Sequence, residues 1–246
     1  MIETLAALLL AHALADFVFQ TGWMVANKSR LPVLALHAGI AWAASLLVAG
    51  HLWSWPVLVL GIVHLAIDRI KLWLGQDLRY YLLDQAAHLL SIALVAAWVP
   101  GLWASGWWAA LAADQGATWL PAAMAVTAGM IFAVRAGGFA VAALLAPYAR
   151  YWNRYRVLSG GLRDAGRRIG ELERGLTFIL VIAGYPTGVA ILIAAKSVLR
   201  FNATREDRRI AEYVIIGTLA SVGWALLVAF STEALLLGLG HPTTSP

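Results

Sequence analysis

Residues Thr4–Gln20 read TLAALLLAHALADFVFQ. A run of this length approaches the ~20 apolar residues that cross a bilayer core, yet it keeps an imidazole, His12, and an acid, Asp16. An Asp at the centre of a spanning helix costs roughly 2.5–3.5 kcal/mol on insertion scales. A chain that retains such groups in such a run announces both a membrane fold and a polar site inside it.

The rest of the chain supports that reading. Further apolar stretches run over Leu31–Gly50, Trp55–Ile70, Tyr81–Val99, Trp119–Leu145, Leu176–Leu199 and Ile210–Leu237. Of 246 residues, 61% are hydrophobic and 13% charged, against roughly 25% charged in a soluble globular protein. These proportions exclude a disordered chain, a secreted disulfide scaffold and a soluble nucleic-acid binder. Without cysteine, disulfides, thiolate metal ligands and cysteine nucleophiles are excluded too. Glu3 follows the start directly, with no basic segment or cleavage site, so the first stretch reads as a retained span rather than a signal peptide.

Lys+Arg 18 against Asp+Glu 13 gives a formal charge of +5, and in a membrane protein the basic residues report topology first. Lys28 and Arg30 follow the first stretch; Arg69, Lys71 and Arg79 follow the third. Gly50–Ser54 and Pro100–Thr118 contain no Lys or Arg. The basic connections are then cytoplasmic and the N-terminus lies outside. Trp53, Trp55, Trp98, Trp103, Trp107, Trp108 and Trp119 fall toward the outer interface, where an aromatic belt belongs.

Arg150, Arg154, Arg156, Arg163, Arg167, Arg168 and Arg174 precede the Leu176–Leu199 stretch, and Lys196, Arg200, Arg205, Arg208 and Arg209 close or follow it. A full crossing would strand one basic group outside. Gly184-Tyr185-Pro186-Thr187-Gly188 breaks that stretch in its middle, leaving arms too short to span. Leu176–Leu199 therefore reads as a re-entrant hairpin with both ends cytoplasmic. The expected architecture is an all-α integral membrane protein of six transmembrane helices plus a re-entrant helical hairpin, both termini outside. It divides into a four-helix core over 1–100, an outer interfacial connection over 101–118, and two further spans with the basic loop and hairpin over 119–246. Arg135 lies about 24 Å down the fifth stretch by helical rise, where Gly137 and Gly138 would let the chain bend along the inner surface.

The first four spans hold His12, Asp16, His37, His64, Asp68, Asp84 and His88. His12/Asp16 and His64/Asp68 are spaced i,i+4, and Asp84/His88 repeats that spacing in reverse, which puts each pair on one helix face. Two helical side chains so placed suit a single metal ion. In the topology above all seven groups fall roughly 2–12 Å beneath the cytoplasmic interface, a single layer. His12, Asp16 and His37 recur as His64, Asp68 and His88 at a near-constant offset, which hints at duplicated helical hairpins. Imidazole and carboxylate without thiolate suit zinc, manganese or iron, and seven ligands leave room for more than one ion. The competing structural explanation is helix–helix hydrogen bonding and buried ion pairs with Lys28 or Lys71.

With these motifs in view, His12-Ala-Leu-Ala-Asp16-Phe17-Val-Phe-Gln20 with Lys28, His64-Leu-Ala-Ile-Asp68 with Lys71, and Asp84-Gln85-Ala-Ala-His88 resemble a family of uncharacterised bacterial inner-membrane proteins, catalogued as a domain of unknown function. Gly170-Glu-Leu-Glu173-Arg174, Lys196-Ser-Val-Leu-Arg200-Phe and Glu212-Tyr to Gly217-Thr218 resemble members with a C-terminal extension. The resemblance implies a multi-pass protein of the bacterial inner membrane and no settled activity. A looser resemblance is to membrane-bound metal-dependent hydrolases and to zinc phospholipases and nucleases with helical His-x-x-x-Asp ligands. It implies His12, Asp16, His64, Asp68, Asp84 and His88 as ligands; the N-terminal tryptophan amine of the phospholipase and nuclease group has no counterpart here.

The expected function is a metal-dependent hydrolase acting on a lipid or lipid-linked phosphoester at the cytoplasmic leaflet. Asp84 is its expected general base, and Lys28, Lys71 and Arg135 are expected phosphate anchors. No nucleic-acid partner is expected. An ion- or proton-coupled transporter would use the same Asp/His set as a relay. A non-catalytic scaffold would dock acidic lipid through the basic loop, whose Ser159-Gly160-Gly161 turn suits an interfacial segment.

Overall fold

Alanine makes the first helix central. In α1 (Ile2–Leu14), Ala6, Ala7, Ala11 and Ala13 are buried together with Thr4, Leu8 and His12, so burial wraps round the helix rather than following one stripe. Small side chains let neighbouring helix backbones approach closely, and α1 packs against α3 (Leu31–Ala49), α5 (Leu78–Trp98) and α7 (Leu120–Ile131). The computed structural model describes residues 1–75, 77–154, 165–204 and 208–241, which are helical without a strand among them. Arg156, Arg163, Arg205 and the Ser159-Gly160-Gly161 turn lie outside the described residues.

The short helix α2 (Gly22–Asn27), started by Met24 N–H donating to Thr21 Oγ1 at 3.3 Å, links α1 to α3; α4 (Trp55–Lys71) lies against α3 and α5. Leu8, Leu46, Val57, Leu60, Ile92 and Val95 make the apolar core of this bundle. The connection before α7 contains a helix, α6 (Trp107–Gln115), and is stitched to helix ends by polar bonds. Thr4 Oγ1 donates to Pro100 O at 2.9 Å and accepts from Trp103 N–H at 3.1 Å; His51 Nε2 meets Leu102 O at 2.8 Å; Trp108 Nε1 donates to Leu47 O at 2.7 Å. Two of the expected belt tryptophans are thus drawn inward. Trp103 is buried beside Ala7 and Met124, and Trp108 packs on the same cluster.

Beyond α7 the helix continues through a π turn, Phe132–Ala136, into α8 (Gly137–Arg154). Gly137 and Gly138 lie within this continuous helix rather than at a break in it. A Cβ at Gly137 would lie 2.5 Å from Trp224 Cδ1 and 2.9 Å from Arg174 Cδ; this glycine clears room for two large side chains rather than turning the chain. Those side chains answer the π turn, whose extra residue leaves carbonyls without regular helical donors. Arg174 Nε and Nη2 donate to Val134 O at 3.2 and 2.9 Å, and Trp224 Nε1 donates to Phe132 O at 3.0 Å.

α9 (Ala165–Ile182) and α10 (Thr187–Thr204) pack on one another across the helix break that Gly184 and Pro186 predict. Gly184 adopts φ +81°, and Tyr185 N–H closes on Leu180 O at 2.7 Å, the left-handed cap that glycine takes without a Cβ penalty. The arms are longer than predicted, 18 residues each. The polar segment before Leu176 is helical too, because it is amphipathic and buries Glu173 and Arg174. α11 (Arg208–Gly238) ends the described helices.

Among the described residues, five helical segments are long and apolar enough to cross a membrane: Ile2–Phe19, Leu31–Ala49, Leu78–Trp98, Leu120–Tyr148 and Ala211–Gly238. α4 has 17 residues, and the apolar part of α10 is Thr187–Val198. The protein is thus an all-helical chain with the makings of a multi-pass membrane protein. Its contacts divide it into two compact units, Met1–Ile131 with Leu235–His241 and Phe132–Ala234. The division falls inside the long fifth apolar stretch.

Candidate functional site

The first unit gathers all seven predicted imidazoles and acids into one cluster. α1 ends in a π turn, Ala15–Phe19, closed by Gln20 N–H on Ala15 O at 3.1 Å. Asp16 therefore sits on a π turn and not on the regular α-helix that its spacing predicts. His12 Nδ1 is 3.9 Å from Asp16 Oδ1, while His37 Nε2 and His64 Nε2 are nearer, at 3.3 and 3.6 Å. The wider turn turns the acid toward α3 and α4, in keeping with the tendency of such turns to mark functional sites.

Asp68 faces the same imidazoles. Its Oδ2 is 3.3 Å from His37 Nε2 and 3.4 Å from His64 Nε2, and these two nitrogens are 3.2 Å apart. Asp16 Oδ1, His37 Nε2, His64 Nε2 and Asp68 Oδ2 thus form a compact N₂O₂ set. The distances can be set against a coordination sphere. Zinc takes N and O ligands at about 2.0–2.2 Å, and the edge of a tetrahedron that size is ~3.3–3.6 Å. His37 Nε2, His64 Nε2 and Asp68 Oδ2, 3.2–3.4 Å apart, match one face of such a tetrahedron to within 0.1 Å.

His88 joins from the other side. Its ring lies 4.5 Å from that of His64 and stacks on that of His12 at 5.0 Å. Its Nδ1 is 2.9 Å from the backbone oxygen of Asp84, an acceptor, so Nδ1 carries the proton and donates it. Nε2 is left with a lone pair, and it is buried without a hydrogen bond. A bond to backbone on one nitrogen that frees the other is how metal-binding histidines are usually oriented. The sets His12/Asp16/His64, His37/His64/Asp68 and Asp68/Asp84/His88 each bring three ligand atoms within 4.8 Å of one another.

Each of two carboxylates is shared between a lysine and the cluster. Lys28 Nζ donates to Asp68 Oδ1 at 2.7 Å, and Lys71 Nζ donates to Asp84 Oδ2, which also accepts from Gln85 Nε2 at 3.1 Å. The second oxygens, Asp68 Oδ2 and Asp84 Oδ1, together with Asp16 Oδ1, are buried with no hydrogen bond of acceptable geometry. Burying acceptors against lone pairs is expensive unless something positive joins them. A divalent cation held by these atoms would satisfy them, so the donor set fits one. The expected phosphate anchors Lys28 and Lys71 are thus engaged with acids, as the ion-pair explanation anticipates. Arg135 belongs to the second unit, where it lines a cavity.

Gln85 carries a role that its motif did not reveal, steadying Asp84 from the next position along the helix. Gly61 is another. A Cβ there would stand 3.1 Å from Trp42 Cβ, so its absence lets α4 approach α3 closely. No local spacing signals either role, since each depends on the partner helix or on a side-chain rotamer.

Residues 4–111 match the model of a family described as a protein of unknown function (DUF3307). The matched segment contains every His, Asp and Lys of the cluster. No curated protein and no solved structure matches the chain.

Proposed function

We propose that the first unit holds a divalent metal centre, and that the protein is a membrane metal-dependent hydrolase acting at the cytoplasmic leaflet on a lipid or lipid-linked phosphoester. The observation that supports this reading is the buried meeting of Asp16, His37, His64 and Asp68, in which His37 Nε2 and His64 Nε2 each lie 3.3–3.6 Å from an oxygen of both acids. Zinc suits it best, and manganese or iron would accept the same donors. Bound there, the cation would supply Lewis acidity and a more acidic water.

The protein's own groups divide the remaining work. His37, His64 and Asp68 hold the cation, with Asp16 the fourth donor and the one on the wider turn. Asp84 Oδ1 is the oxygen placed to accept a proton, while Lys71 and Gln85 fix the carboxylate through Oδ2. Lys28 does the same for Asp68. Both lysines orient ligands in this scheme rather than anchoring phosphate. In the full topology α4 is the sixth span, α9–α10 re-enters the inner face, both termini lie outside, and the membrane is the bacterial inner one.

The test is elemental analysis of the purified chain after growth in metal-replete medium. About one or two equivalents of zinc, manganese or iron per chain are expected, falling to background in the His64→Ala/Asp68→Ala variant. Equal and negligible metal in both would end the hydrolase reading. One observation favours a second reading, a proton-coupled transporter: the Lys28–Asp68 and Lys71–Asp84 pairs are the partnered acids that proton relays use. Metal-independent uptake of a substrate into proteoliposomes would select it.

A further inference from the structure

The metal centre proposed above uses Asp16, His37, His64 and Asp68, and it leaves His88 without a task. His88 is 1% exposed, and its Nδ1 proton is spent on the backbone oxygen of Asp84. Nε2 therefore keeps a lone pair where no donor meets it. A histidine that only tied helices together would turn that nitrogen to an N–H or O–H, as buried polar atoms do. Asp84, one turn earlier on α5, shows the same want. Lys71 and Gln85 both donate to its Oδ2, whereas Oδ1, 3.7 Å from His88 Nδ1, is buried with no hydrogen bond.

Asp68 completes the group. One ligand atom from each of Asp68, Asp84 and His88 lies within 4.8 Å of the other two, and Asp68 belongs also to the set with His37 and His64. Lys28 takes Oδ1 of Asp68, so Oδ2, buried without a hydrogen bond, is the oxygen left to serve both sets. A single carboxylate oxygen can bridge two cations, and ions in paired sites stand about 3.5–4 Å apart.

Charge indicates what such a pair would take. The two lysines engage two of the three carboxylates, so two divalent ions among neutral imidazoles would leave the buried centre strongly positive. Buried charge needs a partner. A phosphoryl group with two negative charges, as in a phosphate monoester, meets that need better than the single charge of a diester.

We propose that Asp84, His88 and the shared Asp68 hold a second divalent cation, and that the loaded pair takes a phosphate monoester. The second site rests on the metal-centre reading of the first, since Asp68 serves both. Asp84 Oδ1 accepts a proton while the centre holds one cation; with two it is a ligand, steadied by Lys71 and Gln85 through Oδ2.

Manganese, which accepts the same donors, provides the test. The purified full chain is stripped with chelator, titrated with manganese and followed by electron paramagnetic resonance. Wild type should take up two ions per chain and show the spin-coupled signal of a bridged pair. His88→Ala and Asp84→Asn should each keep a single, uncoupled ion. Lys71 is 35% exposed and can turn to water in Asp84→Asn, so this variant keeps its fold even where His88→Ala does not; melting temperature checks both. In alkaline buffer, inorganic phosphate should bind the doubly loaded chain at least about tenfold more tightly than dimethyl phosphate, a gap of about 1.4 kcal/mol, and Asp84→Asn should lose that preference. One ion in wild type and in both variants would overturn the second site and leave the first standing. No ion in wild type would overturn both. Two coupled ions in a folded variant, or none, would overturn the assignment of Asp84 and His88. Equal binding of the two phosphates would overturn the substrate class.

Discussion

Each unit holds a π turn, closing α1 in the first and leading into α8 in the second, and each turn carries a charged residue, Asp16 in one and Arg135 in the other. Their surroundings are opposite. In the first unit acceptors converge: three carboxylates and four imidazoles meet, with two lysines engaging two of the acids. The void beside His12, His64 and His88 is only about 20 Å³, room for about one water. In the second unit donors predominate, the freed carbonyls are capped by Arg174 and Trp224, and a cavity of about 450 Å³ remains. Converging acceptors without space call for a small cation.

The strongest way to break this contrast is Asp68→Asn. The change removes a ligand oxygen and leaves Lys28, 12% exposed, without its charge partner. Uncompensated burial of one member of such a pair costs about 3–5 kcal/mol. The variant should lose that much stability in a reversible denaturation assay even after chelation, and metal content should fall to background. Unchanged stability with chelator present would mean that Lys28 and Asp68 do not depend on one another.

A smaller effect is expected in the second unit from Arg174→Met. It removes the donors to Val134 O and Ser221 Oγ, and the π-turn carbonyl is left short of a partner. A loss of about 2–3 kcal/mol is expected, with bound metal per chain unaltered. Loss of metal in this variant would show that the units do not keep separate functions. The smallest stability change should come from Lys71→Met. Lys71 is 35% exposed in its pair with Asp84, so solvent screening limits the loss to about 1 kcal/mol or less. Metal affinity should still drop about tenfold, the lower end for removal of a group that orients a ligand. Isothermal titration with zinc would measure it, and an unchanged affinity would detach Lys71 from the centre.

Much of the cluster was legible before any coordinates. His64/Asp68 and Asp84/His88 are near neighbours because residues four apart share a helix face, and polar groups in apolar runs are conspicuous. The helix break was legible at Gly184, since a left-handed cap followed by Pro186 is written locally. Other features were not. The π turn at Asp16 has no local signal, because an extra residue in a helix is retained only where tertiary contacts reward it. Trp103 read as interfacial by composition, yet the Thr4 hydroxyl bonds its backbone N–H and its ring is buried against α1 and α7. Gly137 read as a bend, although Trp224 and Arg174, distant in sequence, are what require it.

The amino-acid order alone determined that this chain is helical, too apolar for water, and burdened with acids and imidazoles that need partners. Those conclusions rest on composition and on spacing within single helices, where geometry is set by the backbone. Which oxygen of Asp68 faces Lys28 and which faces His37 and His64 was decided only when α2, α3 and α4 packed together. So was the meeting of Asp16, on the π turn after α1, with His37 of α3 and with His64 and Asp68 of α4. Distances between side chains on different helices depend on packing angles and small-residue contacts, and no periodicity within one helix contains them.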